Sequence, residues 1–215
     1  MSKAQGSPAA GYATASGVHA QMPLEAGLQA VPVHPEIADV LFSEADLAAV
    51  VARLGRQVGE EYQGRDLLVI GVLKGAFMFT SDLVRVIHPF PVTLEVGFLK
   101  ASSYGSSSTT SGEVKIDSGF NLKSVTGKDV LVVEDIMDTG LTLTKIVAHL
   151  NTAGPKSVRI CTLLDKKARR RVPLQADFVG LECPDAFIVG YGIDYNEKYR
   201  NLPYIGVPRP EFVTA

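Results

Sequence analysis

Apolar positions along the chain follow two rhythms in turn. From Ser43 onward Leu47, Val50, Val51, Leu54 and Val58 recur at helical spacing behind the start signal Ser43-Glu-Ala-Asp46, which predicts an amphipathic helix to about Tyr62. Leu67 to Val72 is then a continuous apolar run, the pattern of a strand covered on both faces. It ends in Leu73-Lys74-Gly75, after which residues 76–87 read as a helix stopped by Pro89. Val92, Leu94, Val96 and Phe98 alternate with other residues, predicting a strand with one better-buried face. Val130 to Val133 is a second buried strand, and Leu141 to about Ala153 is a helix ended by Gly154-Pro155. Ser157 to Leu164 and Asp177 to Leu181 are further strands, followed by a short apolar piece, Phe187 to Val189. Strand, loop and helix in alternation predict an α/β fold on a parallel sheet.

Two segments break the rhythm. Ala101 to Gly112, almost all Ser, Thr and Gly, has nothing to pack, and with a strand starting near Glu113 it reads as a long, flexible hairpin tip of the kind that serves as a lid. Residues 1–34 are rich in Ala, Gly and Ser with Lys3 as the one cation, and read as a disordered tail. They are too poor in Arg for a transit peptide and lack the apolar block of a secretory signal, so a cytoplasmic protein is expected.

Composition narrows the class. At 215 residues with 46% hydrophobic content, one substantial core is expected. A net charge of −2 gives no general attraction to nucleic acid or membrane, and no apolar run approaches a membrane span. Cys161 and Cys183 have neither metal-type nor thioredoxin-type spacing, and the four histidines form no ligand set, so zinc is not expected.

The chemistry concentrates where the strand from Val130 ends. Glu134, Asp135 and Asp138 are too many acids for a packed interior and require water, hydroxyls or a cation. Thr139-Gly140-Leu141-Thr142 follows at a helix start, where a Gly turn, Thr hydroxyls and free amides make a nest for phosphate. A ligand with sugar hydroxyls and a phosphate satisfies both halves. Helix capping by Asp138 and Thr139 is the plainer reading, and it accounts for one acid out of three.

Other groups fall on the same sheet edge. Lys74 follows a buried strand and is either a solvated lysine or an anion ligand. Asp165-Lys166 follows another; the basic run 166–171 reads mostly as a solvated face, with Lys166 as the candidate for ligand contact. In Phe187-Ile-Val-Gly-Tyr-Gly-Ile-Asp-Tyr-Asn-Glu-Lys-Tyr-Arg200, an aromatic can stack on a flat heterocycle and Arg200 can grip phosphate. Core packing is the alternative for Phe187 and Tyr191, and a surface ion pair for Asp194 with Arg200.

Leu73-Lys-Gly75, Ala101-Ser-Ser-Tyr104, Val132 to Gly140, Leu163-Leu-Asp-Lys166 and Val189 to Asn196, in this order and spacing, resemble the hypoxanthine-guanine phosphoribosyltransferases, on the bacterial side of that family. The resemblance implies a type I phosphoribosyltransferase core with helices on both faces and a small hood, within a domain spanning 35–208, the hood mainly 182–208, with 209–215 as a tail. It implies Mg²⁺-dependent transfer of 5-phosphoribosyl from phosphoribosyl pyrophosphate to hypoxanthine or guanine, and a homodimer or homotetramer that binds neither nucleic acid nor membrane. Glu134 and Asp135 would hold ribose hydroxyls directly or through Mg²⁺, Asp138 would be the general base, and Asp138, Thr139, Gly140, Leu141 and Thr142 would hold the 5′-phosphate. Lys74, Gly75 and Arg200 would bind pyrophosphate, and Asp194 a second Mg²⁺. Lys166 would donate to the purine O6, Phe187 would stack, Ile188 would offer backbone groups, and Ser103 and Tyr104 would belong to the lid. Leu141 stands where some relatives carry Lys, so the nest relies on amides and hydroxyls. The alternatives are a transferase preferring xanthine or another base, and a phosphoribosyl-pyrophosphate-sensing regulator with the same fold.

Overall fold

The computed structural model describes residues 32–103 and 114–213. Its elements are β1 (Ile37–Phe42), α1 (Glu44–Glu61), β2 (Asp66–Leu73), α2 (Phe77–Ile87), β3 (Thr93–Ser103), β4 (Val114–Ser118), β5 (Asp129–Met137), α3 (Leu141–Asn151), β6 (Ser157–Asp165), β7 (Phe178–Glu182) and β8 (Ile205–Pro208). Six strands form one sheet in the order β4-β3-β2-β5-β6-β7, parallel except for β4, which pairs antiparallel with β3.

Alternation along the buried strands sorts their side chains between two cores. Leu67, Val69, Leu131 and Val133 face α1 and α2, which contribute Leu47, Leu54, Val58, Phe79 and Leu83. Leu68, Ile70, Val130 and Val132 face α3, which contributes Leu143, Ile146 and Leu150. Helices thus cover both faces, as parallel pairing requires. At the start of α1, Asp46 N donates to Ser43 Oγ at 3.2 Å and Ser43 N to Asp46 Oδ2 at 2.9 Å, a reciprocal cap.

Two predictions are corrected. Along β3 the apolar alternation marks the buried face only at its start: Val92 and Leu94 pack against the core, but Val96 and Phe98 are 46% and 37% exposed, whereas Leu99 is buried. The Phe98 ring lies across Gly71, where a Cβ would come within 2.9 Å of it. The sequence reading also lacked β1 and β8, which pair antiparallel as a separate two-stranded sheet through bulged registers. Val189 bridges to Gly206, and Ile37, Val189, Tyr199, Leu202 and Tyr204 pack into a small third core. The chain between Val189 and Tyr204, here called the hood, approaches the carboxyl end of β2, where a Cβ at Gly192 would come within 2.1 Å of the Gly75 carbonyl oxygen. Among the described residues no helix is long and apolar enough to cross a membrane.

Candidate active site

Strand order reverses between β2 and β5, so their carboxyl ends open the crevice in which sheets of this kind bind ligands. β2 delivers Lys74 and Gly75, after a cis Leu73–Lys74 peptide bond. β5 delivers Glu134 and Asp135 and runs on to Asp138. A cavity of about 210 Å³ lies between them, lined by Gly75, the three acids and the turn from Thr139 to Thr142. Gly75 must lack a side chain, because a Cβ there would overlap the Asp135 carboxylate.

Burial raises the pKa of Glu134 well above the ordinary carboxylate range, and the charge of Asp135 adds to the shift. Burial raises Asp135 as well, opposed by its hydrogen bonds, including one from Ile136 N–H at 2.8 Å, and by the Arg200 charge. A group whose folded pKa lies above its unfolded value favours the fold at low pH and loses that contribution as pH rises through the folded value. Ligand-free Glu134→Gln is therefore expected to melt a few degrees above wild type at about pH 8, and the difference should vanish below about pH 4, where unfolded carboxylates also carry protons. Thermal scans across that range check this; a gain that persisted in acid would point to packing rather than charge.

The Glu134–Asp135 pair fits a hard divalent cation. Its donors are all oxygens, and the cost of two buried like charges falls when a cation neutralises them. Mg²⁺ takes one or two carboxylates plus substrate oxygens and waters rather than an all-protein cage. Among the described residues no cluster of three or more such ligands exists, as that mode of binding allows.

Beyond the acids the chain turns into α3 through Gly140, whose φ of 80° is left-handed. A Cβ at this position would also come within 2.7 Å of Val172. Gly140 itself is the N-cap and has no side chain with which to cap the helix. Leu141 N–H lies 3.4 Å from Thr139 Oγ1, while Thr144 folds back onto the Gly140 carbonyl through its amide at 3.0 Å and its hydroxyl at 2.9 Å. Asp138 Oδ1 is buried and accepts no hydrogen bond among the described residues; Arg169 Nε stands 3.5 Å from it.

β6 brings the third loop to this edge. Lys166 N donates to the Met137 carbonyl at 3.0 Å, which stitches the loop to the end of β5. The Lys166 side chain is buried, at 5% exposure for the residue, and its Nζ donates to the Ala186 carbonyl at 2.8 Å with Asp185 3.8 Å away. Burial pushes the Cys183 thiol up, with the charge of Lys166 opposing the shift and that of Asp138 adding to it.

The hood closes the other side. Phe187 is 50% exposed and meets Tyr195 edge-on at 5.6 Å, so it is not a core residue, whereas the side chain of Ile188 is buried. Tyr191 is buried and its hydroxyl donates to Asp82 Oδ2 at 2.7 Å, a strut from the hood to α2. Arg200 Nη2 sits 2.8 Å from Asp194 Oδ1, both mostly buried, so this is no loose surface pair. Ser103 ends β3, and Tyr104 lies outside the described residues, as do 104–113 of the hairpin tip and 1–31 of the tail.

One residue of the basic run escaped the sequence reading. Arg170 is inserted rather than solvated, its side chain 16% exposed. It pairs with Asp165 and donates to the carbonyls of Asp138 at 3.0 Å, Leu174 at 2.7 Å and Met137 at 3.2 Å. Lys167 and Arg169 remain more than half exposed, so nothing in the composition of the run separates Arg170 from its neighbours.

The family model described as "Phosphoribosyl transferase domain" matches residues 39–196. The chain belongs to this family. It is 50% identical over 175 residues to the hypoxanthine-guanine phosphoribosyltransferase of Bacillus subtilis, covering 81% of this chain and 95% of that one. It is 49% identical over 179 residues to the bifunctional protein TilS/HprT of Listeria monocytogenes; the match takes in 83% of this chain but spans only 27% of the length of that larger protein. A crystal structure of a hypoxanthine phosphoribosyltransferase from Staphylococcus aureus superposes with a TM-score of 0.77 at 42% identity, covering 84% of this chain and 96% of that one.

Proposed function

We propose that this chain is a purine-salvage enzyme that transfers 5-phosphoribosyl from phosphoribosyl pyrophosphate to N9 of hypoxanthine or guanine, giving IMP or GMP and pyrophosphate. The observation that carries the reading is an acid pair and a helix-start turn lining one cavity at the sheet edge, with the loop of the buried Lys166 tied to the end of the same strand. The names of relatives aligned over most of this chain support it.

In this reading Glu134 and Asp135 hold the ribose hydroxyls, directly or through Mg²⁺, and the turn from Asp138 to Thr142 holds the 5′-phosphate, with Leu141 contributing its amide. Lys74, Gly75 and Arg200 receive pyrophosphate. Asp194 is the protein ligand of a second Mg²⁺, and Mg²⁺ when bound supplies neutralisation of the departing pyrophosphate. The open Phe187 ring stacks on the purine, and the Ile188 backbone meets its edge. Asp138, with one oxygen lacking a donor, takes the proton from purine N7 and so strengthens the attacking nitrogen. The enzyme works in the cytoplasm as a homodimer or homotetramer.

Lys166 selects the base. Its ammonium donates to a carbonyl at O6, and the adenine amino group in that place cannot accept. Lys166→Ala is expected to lower kcat/KM for hypoxanthine by roughly 10- to 100-fold, the worth of a hydrogen bond from a charged donor, while adenine is affected far less. Unaltered preference between the two purines would remove the assigned role. The test of the whole reading is a depletion panel of hypoxanthine, guanine, xanthine, adenine and uracil with phosphoribosyl pyrophosphate, with and without Mg²⁺. Consumption of hypoxanthine or guanine only with the metal is expected, and consumption of none of the bases would overturn it.

A further inference from the structure

Both cations assigned to pyrophosphate already hold a carboxylate. Glu197 Oε2 stands 2.9 Å from Lys74 Nζ and 3.3 Å from Arg200 Nη2, so one oxygen bridges the two side chains. The lysine and the arginine draw the Glu197 pKa below the usual range through these hydrogen bonds.

The backbone is shaped to present this acid. Asn196, Glu197 and Tyr199 have φ of 49°, 64° and 70°, left-handed values that residues other than glycine rarely adopt. Such conformations persist only where the surroundings impose them, and they cluster at ligand sites. The turn is pinned by Glu197 N–H donating to Asp194 Oδ2 at 2.8 Å and by paired backbone hydrogen bonds between Tyr195 and Lys198. Gly192 presses the same segment onto the lysine loop, so closely that a Cβ there would overlap the Gly75 carbonyl oxygen.

We propose that Glu197 is a resident anion of the pyrophosphate subsite: it occupies Lys74 and Arg200 in the empty enzyme, must leave when pyrophosphate arrives, and returns as pyrophosphate departs. This rests on the assignment of Lys74 and Arg200 to pyrophosphate. A carboxylate supplies one charge where pyrophosphate brings several, so the ligand displaces it. The displaced acid stays tethered nearby and refills the cations, which limits how firmly the product is held. Lys74 and Glu197 side chains are 52% and 63% exposed, so water screens the pair and the exchange is easily reversed.

The test is calorimetric titration of magnesium pyrophosphate into the full chain, comparing wild type with Glu197→Gln, Glu197→Asn and Lys74→Ala. Asn is included because it tolerates the left-handed backbone at this position. Both Glu197 variants are expected to bind pyrophosphate roughly two- to fivefold more tightly, the scale of exposed ion pairs, with a gain that shrinks as salt rises. If neither variant binds more tightly while Lys74→Ala binds more weakly, the resident-anion role is overturned and the subsite assignment stands. If Lys74→Ala binds pyrophosphate as wild type does, the subsite assignment falls and the proposal with it.

Discussion

Asp138→Asn is expected to lower turnover by roughly 10²- to 10⁴-fold, the range over which a positioned acid–base group acts, with affinity for phosphoribosyl pyrophosphate close to that of wild type. The amide matches the carboxylate in shape but cannot take up a proton. The grip on the 5′-phosphate should survive, because it rests on the Gly140 turn and the helix amides, which do not depend on the charge at 138. Steady-state kinetics together with calorimetric binding of the sugar donor separate the two quantities. Unchanged turnover would exclude Asp138 as the base, and loss of both quantities together would make it a structural residue of the turn.

Arg170→Ala is expected to destabilise the protein by about 3–5 kcal/mol, the usual cost of stripping one partner from a buried ion pair. At this chain length that is a fall in melting temperature of roughly 10 °C or more. Alanine would leave Asp165 buried without its counter-charge and would release the carbonyls of Met137, Asp138 and Leu174 from one shared donor. These groups lie at the ends of β5 and β6, so the turn carrying Asp138 and the loop carrying Lys166 lose their common brace. Arg170→Lys should recover little, since a single ammonium cannot serve acceptors spread around a planar fork. Urea unfolding of the variants measures the loss, and a curve for Arg170→Ala overlying that of wild type would show the brace to be dispensable.

The parallel strands were legible because burial on both faces leaves unbroken apolar runs, and the acids and the turn that line the cavity because their residues are contiguous in β5 and just after it. What was not legible depends on partners distant in sequence. Arg170 is one of several cations in a row, and its burial follows from how the loop after β6 folds back on β5. Glu197 lies in a polar stretch whose left-handed turn has no glycine at 196, 197 or 199 to announce it. β1 and β8 are short, with the exposed Val40 and the intervening Asp39 and Gly206, so neither shows a clean period until the other lies beside it.

That last pairing bears on how the enzyme is made. His34 N donates to the Tyr204 hydroxyl across 170 residues of chain, and β1 meets β8 over a similar interval. At about 5–20 residues per second of synthesis, β1 emerges from the ribosome roughly 10–30 s before its partner exists. β2, β5 and α3, which line the crevice, are all synthesised before then. A nascent chain therefore carries the strands and the helix that line the crevice before the small two-stranded sheet can form.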